Sequence, residues 1–84
     1  MLPSIYHWRK HGGGEIDILL EYNGYFYPIV VKLKTKPSRM DVKGYYSFKN
    51  TYPDIRIAPG FFICATEKAY MITKDVLAVP WDLI

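Results

Sequence analysis

The sequence predicts an α+β domain: an antiparallel three-strand meander, one helix on one face of the sheet, then a parallel strand and short extra strands. Three observations carry this expectation. Residues 15–22 alternate apolar and polar side chains, residues 42–52 carry apolar side chains at helical spacing, and Asn23-Gly24 stands between two strand-like runs. A period of two marks a strand, and recurrence every three or four residues marks a helix. Asn-Gly between strands marks a two-residue hairpin. With 84 residues the chain has the length of one small domain, spanning 1–84.

The elements follow in order. Residues 4–10 (Ser-Ile-Tyr-His-Trp-Arg-Lys) read as the opening strand, and His11-Gly12-Gly13-Gly14 as a turn. Residues 15–22 place Ile16, Ile18 and Leu20 on one face and Glu15, Asp17 and Glu21 on the other. After the Asn23-Gly24 turn, residues 25–34 form the return strand. Pro28 lies inside that strand, so its missing N–H requires an unpaired side or a bulge. Ser38 followed by Asp41 opens a helix, with the acid near the positive end of the dipole. Val42, Tyr45, Phe48 and Tyr52 share its apolar face, and Tyr52-Pro53-Asp54 stops it. Gly44 costs this helix about 1 kcal/mol relative to alanine, which a close approach to the sheet explains. Pro59-Gly60 introduces a buried-type strand at residues 61–65. Residues 69–73 are expected to pair with it across Thr66-Glu67-Lys68, and residues 76–79 to form a last edge strand before Pro80-Trp81. The helical crossover between parallel strands is expected to be right-handed.

Composition excludes several classes. Cys64 is the single cysteine, so a disulfide framework and a zinc ribbon are both out. It sits in an apolar strand and reads as a small core residue. His7 and His11 have no cysteine or histidine at zinc-ligand spacing, and an exposed or packing role is expected for each. No apolar run reaches the roughly 18–20 residues of a membrane span. Met-Leu-Pro-Ser shows no basic region leading into an apolar stretch, and a cytoplasmic setting is expected.

Eleven Lys+Arg against eight Asp+Glu give a net charge of +3. Lys32, Lys34, Lys36, Arg39 and Lys43 cluster within one short stretch. They read either as a solvated strand end running into a helix or as a phosphate-facing patch. The hairpin register opposes Tyr22 to Tyr25, Leu20 to Tyr27 and Ile18 to Ile29. On the other face it opposes Asp17 to Val30 and Glu15 to Lys32. Two carboxylates beside a lysine are the donor set for Mg²⁺-assisted phosphodiester chemistry. The plainer reading is an exposed Glu15–Lys32 ion pair worth under about 1 kcal/mol.

The stretches Gly14-Glu15-Ile16-Asp17-Ile18-Leu19-Leu20 and Tyr27-Pro28-Ile29-Val30-Val31-Lys32-Leu33-Lys34 resemble the PD-(D/E)XK nuclease-like superfamily. More narrowly, they are similar to the domain of unknown function at the C-terminus of many prokaryotic AAA+ ATPases. That family shows a Gly-x-Glu-(Val/Ile)-Asp strand, an Asn-Gly-type turn, then Tyr-Pro-Ile-Glu-Val-Lys. The similarity extends over nearly the whole chain, including Tyr6-His7-Trp8-Arg9, the helix end at Tyr52-Pro53 and Val79-Pro80-Trp81. The resemblance implies a restriction-endonuclease-like core lacking its first helix. It implies Asp17 as metal ligand and Lys32 as the motif lysine, with Mg²⁺ as cofactor of an active form. The motif glutamate belongs at position 30, where this chain has Val30. Glu15 is the nearby carboxylate that can replace it, so Asp17, Lys32 and Glu15 are the candidate catalytic set, and Asp17 and Glu15 the candidate metal ligands. Lys34, Lys36, Arg39 and Lys43 are the candidate nucleic-acid contacts.

The expected function is a degenerate, catalytically impaired nuclease-like domain that retains weak DNA binding. One alternative is an active Mg²⁺-dependent nuclease. Another is a protein-interaction or self-association module derived from a larger ATPase. DNA, an ATPase module and a second copy are the expected partners. The last follows because a sheet without its first helix leaves apolar surface to bury.

Overall fold

Among the described residues, seven strands join in one mixed sheet, in the order β1 (Ser4–Lys10), β2 (Gly14–Tyr22), β3 (Tyr25–Val31), β5 (Gly60–Cys64), β7 (Val76–Pro80), β6 (Tyr70–Thr73), with β4 (Arg56–Ile57) paired beside β3. The computed structural model describes residues 2–12 and 14–83, so Gly13 of the glycine turn lies outside the described residues. After β3, a 3-10 turn at Arg39–Val42 runs into the helix α1, Lys43–Thr51. β4, β5, β6 and β7 follow, then a last 3-10 turn at Trp81–Leu83. β1, β2 and β3 form the antiparallel meander, and β3, β5 and β7 run parallel. This is the predicted α+β architecture, with α1 carrying the chain from β3 towards β5.

The hairpin follows its turn residues. Asn23 and Gly24 both take positive φ, 52° and 80°, as a type I′ turn requires. Tyr22↔Tyr25, Leu20↔Tyr27 and Ile18↔Ile29 pair in the predicted register. Pro28 falls where the parallel neighbour of β3 changes from β4 to β5, so no ladder bond is needed there.

Three details differ from the sequence reading. First, β7 is interior and not an edge: it runs parallel to β5, and β6 pairs antiparallel with β7 instead of β5. The reason is local. Lys74-Asp75 joins β6 to β7 as a tight hairpin, and the Asp75 carbonyl accepts the Gly60 N–H at 2.8 Å, which holds β7 against β5. Second, β3 ends at Val31, although the Lys32 N–H still donates to the Ile63 carbonyl at 3.0 Å. Third, β2 carries a bulge. Tyr6 pairs with Leu19 and Trp8 with Ile16, so Asp17 and Ile18 together oppose His7. The bulge resets the alternation. Ile16 and Leu19 therefore both face α1, and the expected grouping of Ile16 with Ile18 and Leu20 is corrected.

α1 covers one face only. Val42, Tyr45 and Phe48 are buried there as predicted, whereas Tyr52 ends the helix and is exposed. Val42 and Tyr45 pack with Val30, Phe62, Cys64, Val76 and Ala78. Phe48 packs with Ile16 and Leu19, with Trp8 edge-on to its ring at 5.2 Å. Gly44 explains itself: a Cβ built on it would collide with the Glu15 carbonyl oxygen, so α1 lies directly on the β2 backbone. Cys64 is a buried free thiol in this core. Among the described residues, no helix is long and apolar enough to cross a membrane.

Candidate functional site

The β2–β3 ladder stops at Ile18↔Ile29. Beyond it the Asp17 carboxylate takes over: its Oδ2 accepts the Val31 N–H at 2.9 Å. Next to this point a cleft of about 480 Å³ opens between the strand ends and the start of α1. Val30 forms its hydrocarbon wall, only 8% exposed and shared with the core. Glu15 lines it from β2 and Lys32 from just past β3, with Asp41 and Lys43 on the helical side.

Each acid in the cleft is held by a cation. Arg9 donates to Glu15 Oε2 from Nη2 at 3.0 Å and from Nε at 3.2 Å, and His7 Nε2 lies 3.9 Å away. The Arg9 hydrogen bond, then the Arg9 charge, lowers the Glu15 carboxyl below its ordinary range, and His7 and Lys32 add smaller pulls. Asp41 accepts from Lys34 Nζ at 2.7 Å and from the Ser38 N–H at 2.8 Å. The Lys34 hydrogen bond, then that of Ser38, lowers its carboxyl as well. By contrast, among the described residues Lys10, Lys32 and Lys43 have no carboxylate within 4.0 Å. Lys10 donates only to Thr51 Oγ1, at 3.4 Å.

The lysine stretch predicted as one patch is divided by the fold. Lys32 and Lys43 both line the cleft. Lys34 does not line it but is bound to Asp41, which does, and Lys36 is exposed on the loop after β3. Arg39 turns away to a separate hollow beside Tyr46, Thr73 and Lys74. Two cleft cations, Arg9 and Lys10, were not singled out by sequence reasoning. The signal was present: β1 ends on them, and the turn that follows returns Glu15 directly opposite Arg9.

A family model described as a domain of unknown function (DUF4143) matches residues 2–84. The chain belongs to this family. No curated protein and no solved structure matches it.

In this DUF4143 domain the two candidate metal ligands have other partners. Asp17 is turned to a backbone amide, Glu15 is bound by Arg9, and the expected pairs Asp17–Val30 and Glu15–Lys32 lie beyond the end of the β2–β3 ladder. Among the described residues, no three His, Cys, Asp or Glu side chains converge on one point. Mg²⁺ prefers oxygen ligands in near-octahedral geometry. What the cleft of the DUF4143 domain offers instead is ammonium groups around a partly apolar wall. That arrangement suits an anion with a non-polar flank, as a phosphodiester with its sugar is.

Proposed function

We propose that this DUF4143 domain is a catalytically impaired, nuclease-like domain that binds nucleic-acid phosphates in the cleft between β2, β3 and α1. One observation carries the reading: among the described residues Lys32 and Lys43 both line the cleft with no carboxylate within 4.0 Å, beside Val30 at the place of the motif glutamate. Asp17 and Glu15, the remaining acids of the nuclease-like pattern, are committed to Val31 and Arg9. The reading therefore keeps the phosphate-binding half of the superfamily's chemistry and drops the metal-dependent half. A cytoplasmic setting and an ATPase module as a physical partner belong to the same proposal, on the resemblance to ATPase C-terminal domains.

The test is binding of a short fluorescent DNA duplex by anisotropy, at several salt concentrations. Two to three phosphate contacts give a slope of log K on log salt of roughly −2 to −3. Lys32→Ala with Lys43→Ala should weaken binding at least tenfold at low salt and flatten that slope by about 2. The parent should not cleave the duplex in Mg²⁺. Cleavage by the parent that Asp17→Asn abolishes would establish the active-nuclease reading in its place. No binding at low salt would leave an interaction module.

A further inference from the structure

The side of the sheet away from α1 carries three apolar rows, with Arg56 on the neighbouring Tyr22-Tyr25 row. Paired residues point to the same side of a sheet, so the register defines rows. Ile5, Leu20 and Tyr27 form one row. Ile18, Ile29, Phe61, Leu77 and Met71 form a second, crossing five strands. Val31, Ile63 and Val79 form a third. None of these eleven side chains carries a charge. The residues between them, such as Val30, Phe62 and Ala78, face α1 and are buried. The outer rows are not: Met71 is 53% exposed, Val31 48% and Phe61 41%. Parallel ladders such as β3-β5-β7 are found with both faces covered, and here α1 covers one.

We infer that this open face docks a second copy of the same chain, sheet against sheet around a two-fold axis. Three points select that occupant. The three rows hold no charge, so a contact confined to them opposes no like charges, as an isologous contact demands. Ile5 is 70% exposed beside Met71, Val31 and Phe61, and a two-fold contact removes this apolar surface from water on both copies at once. A domain of 84 residues is short of core, and this contact doubles it. The inference is independent of the nucleic-acid reading, because Lys32 and Lys43 lie on the α1 side of the sheet.

Sedimentation velocity of the full chain from about 1 to about 100 µM reads the result. The parent is expected to form dimers. Phe61→Glu and Met71→Glu are each expected to weaken them at least about 30-fold, and Met40→Glu, on an exposed side chain near the cleft, to leave them intact. Circular dichroism checks the fold of each variant. Should Phe61→Glu fail to fold, a photocrosslinking residue at position 71 of the otherwise unaltered chain is expected to capture a second copy, and one at position 36 is not. A parent that stays monomeric over the whole range overturns the inference. So does a dimer that both glutamate variants leave intact, or one whose crosslinks map to the β1 edge at position 7.

Discussion

Asp17 acts as a structural acceptor at the point where the β2–β3 ladder ends. Its Oδ2 supplies the Val31 N–H with the partner that a continued strand would have supplied. Asp17→Ala removes that partner and is expected to cost about 0.5–1.5 kcal/mol in urea unfolding, the usual net worth of a hydrogen bond where water can reach the freed amide. Asp17→Asn keeps an acceptor and should stay near the parent, which makes it the cleaner variant for any cleavage assay. Asp41 gives a pH signature at the same scale. Its carboxyl lies below its ordinary value of 3.8 because Lys34 and Ser38 bond the charged form. A depressed folded value means that this stabilisation is complete above the ordinary value and is lost as pH falls through the depressed one. Between about pH 5 and about pH 2, the parent should therefore lose more unfolding free energy than Asp41→Asn, whose curve lacks that component.

The crossing of α1 over β2 turns a residue identity into an architecture. Glycine at position 44 sacrifices about 1 kcal/mol of helix propensity, yet a methyl there meets the Glu15 carbonyl. Backbone overlap outweighs propensity, so Gly44→Ala should destabilise the fold by about 1–3 kcal/mol in urea unfolding instead of stabilising it. It should also disturb the cleft, since Gly14, Glu15 and Lys43 all border the crossing. Gly44 shows why much of this fold was legible in the sequence: its cost was visible, and a close helix–sheet approach was the physical reason available. The Asn23-Gly24 register was legible for a similar reason, because a two-residue turn specifies pairing by local backbone geometry alone. The β2 bulge was not. An apolar Leu19 inside the alternation hinted at it, but only the pairing with β1 shows where the extra residue falls. The place of β7 between β5 and β6 depends on a long-range bond from Gly60 to Asp75, and no local pattern reports such contacts. Likewise, Arg9 reaches the cleft through strand pairing, whereas Arg39, close to Lys43 in sequence, leaves it.

At the scale of the whole molecule, one sheet separates two surfaces of different character: a cleft lined by Lys32 and Lys43 on the α1 side and three uncharged apolar rows on the other. Both readings predict ligand-linked stability, and the two linkages can be told apart by melting. If two copies associate, each tenfold rise in protein concentration stabilises the dimer by about 1.4 kcal/mol. Against an unfolding entropy of about 2.1 cal/mol/K per residue, that raises the melting temperature by about 4 °C per tenfold. A DNA duplex bound in the cleft raises it too, but only at low salt, because released counterions drive that contact. The two sets of substitutions should therefore cross. Lys32→Ala with Lys43→Ala should abolish the DNA-induced shift and keep the concentration dependence, and Met71→Glu should do the reverse. Surfaces on opposite sides of a sheet with no shared side chains are expected to respond additively. If the lysine pair removed the concentration dependence as well, cleft and open face would form one coupled interface, and the independence of the two surfaces would fail.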